Sequence, residues 1–331
     1  MDSLFNSIIH IPSVSGNETP LQEFIKKEVS PYGDVKTDVL GNIIAKIGTG
    51  STKIMIDAHM DEVGFIITYI DEKGFAYFKP LGGIEKDICV GQKVKIITSK
   101  GDITGCIAKN EGTKITSTSP IKDMWIDVGT SNGASLIQVG DYVYFDSYCN
   151  SMQDQSIMAR GADNKIGIYI LLQLCKHITE SIKKKISVYP VFSTQEELGL
   201  FGATVAAEKI LPTYAFIIET IDATDIPGGK VEAEGNIIIG KGLVLTKGPK
   251  TDTVLYKMAK DIAEKKNIPF QIVAHAEETS TTTDTIQINN TGVRTLLISI
   301  PVRYMHTPNV VFNWKDVEAI QELINEILSS L

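Results

Sequence analysis

The chain has 331 residues, 43% of them hydrophobic and 22% charged, the balance of an ordinary globular protein with neither a disordered nor a membrane bias. That length exceeds what one compact core usually holds, so two domains are expected. Forty acidic against 32 basic residues leave a formal charge of −8, which argues against a nucleic-acid partner, because phosphate binding needs a basic face.

Residues 3–10 carry a helical pattern through Leu4, Phe5, Ile8 and Ile9. A turn over 12–17 leads to a second helix over 18–29, where Ser15-Gly-Asn-Glu18 has capping-box spacing. The N-terminus lacks the basic and apolar regions of a signal peptide, and no run approaches the roughly 18 apolar residues of a membrane span. Residues 31–34 read as a turn, and 41–47 and 53–58 as strands. From 63 to 148 the texture changes to short alternating runs at 64–70, 74–78, 93–98, 103–108, 124–128 and 142–145, punctuated by glycine. Such spacing predicts a small β-barrel or sandwich. Helix 164–178, strand 186–192, helix 200–210, strand 213–218 and helices near 251–265 and 315–330 then alternate. The expected fold is α/β: a three-layer α/β/α domain with a mixed sheet, formed by residues 1–62 and 149–331 and interrupted by an inserted β domain at 63–148. Cys89, Cys106, Cys149 and Cys175 are scattered, which fits reduced thiols and a cytoplasmic protein without a membrane partner.

Chemistry-bearing side chains gather where apolar runs stop. His59-Met-Asp61 follows the strand 53–58; Asp61 is placed to orient His59, because a ligating imidazole usually gives its other N–H to a carboxylate. Ser193-Thr-Gln-Glu-Glu-Leu-Gly199 follows the strand 186–192, and neighbours leaving a strand point to opposite sides, so Glu196 and Glu197 can take separate roles. Asp163-Asn164 opens a helix, Glu219 ends the strand 213–218, and His306 lies in Arg303-Tyr-Met-His-Thr-Pro308 after the strand 296–300. Taken singly, each is also compatible with a solvated pair or a plain helix cap. Together they supply His59, Asp163 and Glu219 for one ion and Asp163, Glu197 and His306 for a second. Two divalent ions, zinc first and cobalt or manganese next, suit this His/carboxylate set. A bridging water would be activated between them, with Glu196 as general base. His10, His177 and His275 read as structural. Gly-Gly pairs at 82–83 and 228–229 lack a dinucleotide-site context, and no G-x-S-x-G elbow occurs.

Ala-His-Met-Asp-Glu-Val-Gly-Phe (58–65), Ala-Asp-Asn-Lys-Ile-Gly (162–167), Gln-Glu-Glu-Leu-Gly-Leu-Phe-Gly-Ala (195–203) and Ile-Pro-Val-Arg-Tyr-Met-His-Thr-Pro (300–308) resemble, in order, metallopeptidase family 42. This is the family of glutamyl and tetrahedral aminopeptidases, some of which carry an endoglucanase label. The resemblance spans essentially the whole chain. It implies removal of N-terminal residues from short peptides by a dinuclear metal site with the ligands named above, Glu196 as base and Asp61 behind the first histidine. It also implies a homo-oligomer, a dimer or a tetrahedral dodecamer, assembled through the inserted domain. Three positions depart from the family pattern. Glu219 stands where Asp is usual, which admits a deacylase or carboxypeptidase of the same clan. Thr281-Thr-Thr-Asp284-Thr285 replaces Gly-Gly-Thr-Asp-Ala, which restricts the backbone and leaves the substrate-binding residues unassigned; a catalytically silent assembling paralogue is the remaining alternative. Lys165 stands where Arg is common, a change expected to be minor.

Overall fold

The structure, a computed structural model, describes residues 2–116 and 118–331. The N-terminal segment forms helices α1 (Ser3–His10) and α2 (Thr19–Val29) and strands β1 (Asp34–Thr37), β2 (Ile43–Lys46) and β3 (Thr52–His59). Asp2 caps α1 by accepting from Leu4 N and Phe5 N, and the helix buries Phe5, Ile8 and Ile9. The capping box expected at 15–18 does not form. Glu18 makes no cap hydrogen bond to α2; its carboxylate accepts instead from the N–H groups of Gly16 and Gln195. A tertiary partner 177 residues away has taken the role that local spacing offered to the helix.

The six short runs of the middle segment are strands β4 (Gly64–Ile70), β5 (Ala76–Leu81), β6 (Lys93–Ile97), β7 (Ile103–Lys109), β8 (Met124–Asp127) and β9 (Tyr142–Phe145). They close into a barrel in the order β4-β5-β8-β7-β6-β9. Alternate residues point inward, and Phe65 meets Phe78 and Phe145 edge-to-face at centroid distances of 4.9 and 5.2 Å. Each such pair adds about 0.5–1.5 kcal/mol beyond area burial.

The remaining chain supplies β10 (Asn150–Ser151), β11 (Ser156–Ala159), α3 (Ala162–His177), α4 (Glu180–Lys185), β12 (Ile186–Ser193), α5 (Phe201–Ile210), β13 (Tyr214–Asp222) and α6 (Val231–Glu234). It ends with β14 (Leu243–Lys247), α7 (Thr253–Lys266), β15 (Phe270–Ala274), α8 (Thr283–Ile286), β16 (Arg294–Arg303), β17 (Val310–Asn313) and α9 (Trp314–Ser330). One 11-stranded mixed sheet runs β1-β2-β12-β3-β13-β16-β17-β11-β10, with β14 on β16 and β15 on β14. Its centre, β12-β3-β13-β16, is parallel. Ile54, Ile56 and Ala58 of β3 pack with α1, α2, α3 and α9 on one face; Met55 of the same strand packs with α5 and α8 on the other. The three-layer α/β/α arrangement with a mixed sheet and a small barrel is therefore as expected from the sequence.

Several details differ. β13 continues to Asp222, paired with β16 as far as Val302, so Glu219 lies inside a strand rather than at its end. β1, β10, β11, β14, β15 and β17 were not anticipated. Asp-Val-Lys-Thr of β1 is largely exposed and Val-Val-Phe-Asn of β17 is buried throughout, so neither alternates with the period of two that marks a half-buried strand. Among the described residues, no helix is long and apolar enough to cross a membrane.

Candidate functional site

Parallel strands in an open sheet leave a crevice beyond their carboxyl ends, and the motif residues meet there. His59 is the last residue of β3, in register with Ser193 at the end of β12. After Ser193 the chain turns at once, with Gly199 N and Leu200 N both donating to Glu196 O at 3.0 and 2.9 Å. Glu196 and Glu197 thus sit on a turn, not on an emerging strand. The fully buried Asp61 carboxylate accepts from the N–H of Glu196 at 3.0 Å and of Glu197 at 3.1 Å. Asp61 thus has a second role beside the expected one. Its carboxylate anchors the glutamate turn and stays 3.5 Å from His59 Nδ1, while its backbone carbonyl takes the closer place, 3.0 Å from that nitrogen. The strand has ended at His59, so the i, i+2 alternation no longer applies.

Asp163 sits between the two histidines. Its Oδ1 lies 3.3 Å from His59 Nε2 and its Oδ2 lies 3.3 Å from His306 Nε2. Its extended backbone, with φ −77° and ψ 108°, would suit a helix cap, but both carboxylate oxygens are turned to the imidazoles and not to α3. Asn164 takes that part by accepting from Gly167 N at 3.1 Å, and Thr220 Oγ1 donates to Asp163 Oδ1 at 3.0 Å. Glu219 Oε1 approaches His59 Nε2 at 3.2 Å and accepts from Asn164 Nδ2 and Thr220 N. Glu197 Oε2 lies 3.4 Å from His306 Nε2. His306 Nδ1 faces the carbonyl of Gly83 at 2.9 Å, beyond the end of barrel strand β5. A carbonyl accepts only from an N–H, so both imidazoles carry a proton on Nδ1 and direct Nε2 at the carboxylates, where it donates when the ring is charged and is free to ligate when the ring is neutral.

Burial and mutual repulsion dominate the charges. Burial pushes Glu196 up to about 9, against the pull of His59 and with added repulsion from Glu219, Glu197 and Asp61. Burial and the Asp163 charge push Glu197 up to about 8; Glu219 is raised, chiefly by burial. Burial opposes protonation of both histidines, yet their acidic neighbours, Glu219 and Glu196 first for His59, raise it well above its usual range. Asp163 and Glu197 likewise raise His306 to about 10. Asp163, hydrogen-bonded to His306 and His59, falls far below the usual carboxylate range in spite of burial. Four acidic side chains around two imidazoles is a charge distribution that cations relieve. His59, Asp163 and Glu219 form one possible donor set, and Asp163, Glu197 and His306 another; within each set the ligand atoms lie within 4.8 Å of one another. Buried Glu197 Oε1 has no hydrogen-bond partner among the described residues, a carboxylate oxygen left available for a ligand. These oxygen and imidazole donors fit divalent zinc, cobalt or manganese.

The cluster opens into a cleft of about 1100 Å³. Its wall includes His275, which sequence reading set aside as structural, and the hydroxyl-rich Thr279, Ser280 and Thr281. His10 and His177 do behave structurally, each ring facing the carbonyl four residues earlier. Sequence reading missed Glu18, Thr220, Gly83 and Asp57. Asp57 left a signal, an acidic residue in the middle of the apolar Ile54-Met-Ile-Asp-Ala-His59. It is fully buried, and burial pushes its carboxyl up to about 7 against the hydroxyls of Thr282 and Ser193.

Comparison with known proteins agrees with the architecture. Residues 41–323 match the family described as M42 glutamyl aminopeptidase. The lysyl aminopeptidase of Pyrococcus furiosus is 31% identical, over 99% of this chain and 96% of its own. Among solved structures, the TET aminopeptidase of the marine sediment archaeon Thaumarchaeota archaeon SCGC AB-539-E09 superposes with a TM-score of 0.91 at 27% identity, covering 98% of this chain and 94% of that one. The TET1 peptidase of Pyrococcus horikoshii, described as able to assemble into a tetrahedron or a large octahedral shell, gives a TM-score of 0.85 at 27% identity, with 97% of each chain covered.

Proposed function

The chain belongs to the M42 glutamyl aminopeptidase family and is a peptide hydrolase of the aminopeptidase class, and from that premise we propose that it removes N-terminal residues from short peptides with two divalent ions held in the His59–Asp163–His306 cluster. The observation that carries the reading is the Asp163 carboxylate, one oxygen toward each imidazole, the arrangement a shared ligand needs. His59, Asp163 and Glu219 would hold one ion, and Asp163, Glu197 and His306 the other. Ions bound there polarise a scissile carbonyl and lower the pKa of an attacking water. Glu196 has the role of general base. Its carboxylate faces the same cluster, takes the proton of the attacking water and delivers it to the departing amine nitrogen. Its raised pKa, due first to burial and then to the neighbouring carboxylates, would fall with cations beside it, which would favour the ionised form a base requires. Asp61 positions it through the two backbone hydrogen bonds to the turn.

In the same reading, residues 63–148 form an inserted unit that brings chains together in a cytoplasmic homo-oligomer, supported by the closed barrel and by the shells described for a structural neighbour. The test of the chemistry is a panel of aminoacyl-anilides set beside N-acyl amino acids. Chelator-stripped protein is expected to be inert, and added zinc, cobalt or manganese to restore hydrolysis of the anilides. Hydrolysis of N-acyl amino acids alone would overturn the aminopeptidase reading in favour of a deacylase, which the Glu219 departure favours.

A further inference from the structure

The wall at 279–284 is built almost wholly from hydroxyl groups. Thr279 N and Ser280 N both donate to the Asp284 carboxylate at 2.9 Å. Thr279 Oγ1 and Thr281 Oγ1 lie 2.9 Å apart, and Thr281 Oγ1 donates to Thr283 Oγ1 at 3.0 Å. Ser280 adopts φ +55°, a left-handed conformation that a non-glycine side chain takes at some cost, so this network holds a strained backbone in place. Every one of those bonds is internal to the segment. From outside, Lys250 Nζ reaches Asp284 Oδ1 at 3.7 Å; among the described residues one side-chain hydrogen bond carries the segment to the sheet, Thr282 Oγ1 donating to Asp57 Oδ2 at 2.8 Å.

Asp57 is placed for that purpose. It lies on β3 two residues before His59, flanked by Val191 of β12 and Ile217 of β13, and Ile217 precedes Glu219 by two. Thr282 is only 1% exposed, and its φ of −58° and ψ of −16° suit any residue. Glycine is therefore not required by the backbone here, and the threonine contributes its hydroxyl. A buried carboxylate without a cation beside it is unfavourable unless hydrogen-bonded, which gives the pair a reason to occur together.

We propose that Thr282, through its hydrogen bond to Asp57, is a positioning residue that sets the Thr279–Thr281 wall of the cleft at a fixed distance from the metal cluster and so determines which N-terminal side chains the enzyme accepts. The proposal rests on the aminopeptidase reading for its substrate arm only. Thr282→Val removes the hydroxyl at nearly constant volume, and Thr282→Ser keeps it; Thr282→Gly is the second hydroxyl-free variant should valine fail to pack. Two readouts apply, amide hydrogen exchange over 279–285 and the separate kcat and KM values for alanyl-, leucyl- and lysyl-anilides. The hydroxyl-free variant is expected to exchange about fivefold faster over 279–285, the weight of one hydrogen bond, with β3 and β13 unchanged. It is also expected to alter the ranking of KM values among the three substrates by a similar factor at constant kcat, and the serine variant to match the wild type on both counts. Unchanged exchange, or a uniform loss across all substrates, or a lowered melting temperature as the sole effect, each overturns the proposal. A wild type inert toward every anilide sinks the aminopeptidase reading instead, and the exchange rates then decide the anchor by themselves.

Discussion

At the scale of single side chains, Glu196 and Glu197 are adjacent in sequence and held by the same Asp61 carboxylate, yet their surroundings separate them. Glu197 reaches His306, whereas Glu196 has no contact that ties it to either imidazole as closely and so remains free to exchange a proton. Because Asp61 holds the backbone of Glu196 and not its side chain, Glu196→Gln leaves the turn intact. Metal content is expected to stay at the wild-type level while kcat falls by about 10²–10⁴, read by metal analysis and steady-state kinetics on the same sample. Turnover near the wild-type rate would remove Glu196 from the mechanism. Asp163 could be read in sequence either as a plain helix cap or as a carboxylate shared by two ions. Asn164 accepts the free amide of Gly167 at the start of α3, while Asp163 turns inward, because a carboxylate between two protonated imidazoles makes charge-assisted contacts with both.

At the scale of elements, a buried charge cluster fastens the start of α3 to the N-terminal segment. Glu62 Oε1 accepts from Ser13 N at 2.9 Å, from Lys165 Nζ at 2.8 Å, and from Arg160. Lys165, fully buried, donates also to Ile11 O at 2.7 Å, so a single ammonium spans both partners and an arginine is not needed. Glu62→Gln leaves two buried cations without their anion and is expected to cost about 3–5 kcal/mol, measured as the shift in a urea midpoint. The pH dependence follows from the same cluster. Burial works to raise the Glu62 carboxyl, but Arg160 and Lys165 hold it below the ordinary glutamate range. Its contribution is fully present above the unfolded value of about 4.3 and is lost as pH falls through the lower folded value. Stability of the wild type should therefore drop below about pH 4, and Glu62→Gln should flatten that slope; equal slopes would contradict the linkage. Strands with a clear period of two, such as those of the barrel, were legible in the sequence. β1 and β17 were not, because exposure on both faces or burial on both faces erases the alternation.

At the scale of the whole molecule, the barrel does more than interrupt the α/β domain. The Gly83 carbonyl orients His306, and a Cβ at Gly83 would come within 3.1 Å of that ring, tighter than ordinary contact, so a larger residue there would press on the imidazole. Arg160, just after β11 near the edge of the sheet, stacks on Tyr144 of β9 at 4.7 Å, and Tyr144 in turn donates to Asp102 at 2.7 Å. The two parts therefore meet beside the site through these contacts. If the barrel unit also joins chains, as proposed, the protein should elute from a sizing column well above the mass of one 331-residue chain; elution as a single chain would remove the assembly role.

The sequence by itself determined the fold class and the inventory of reactive side chains. Apolar runs end at His59, at Ser193 and before His306, and strand ends are where a parallel sheet exposes its crevice; Glu219 interrupts such a run inside β13. Four ordered motifs carried the family likeness over nearly the full chain. Only the tertiary structure decided which atom meets which. Asp61 grips a turn 135 residues away, Gly83 steers a histidine 223 residues away, and Thr282 binds an aspartate 225 residues away. Contacts at such separations are set by how layers pack, and no local periodicity records them.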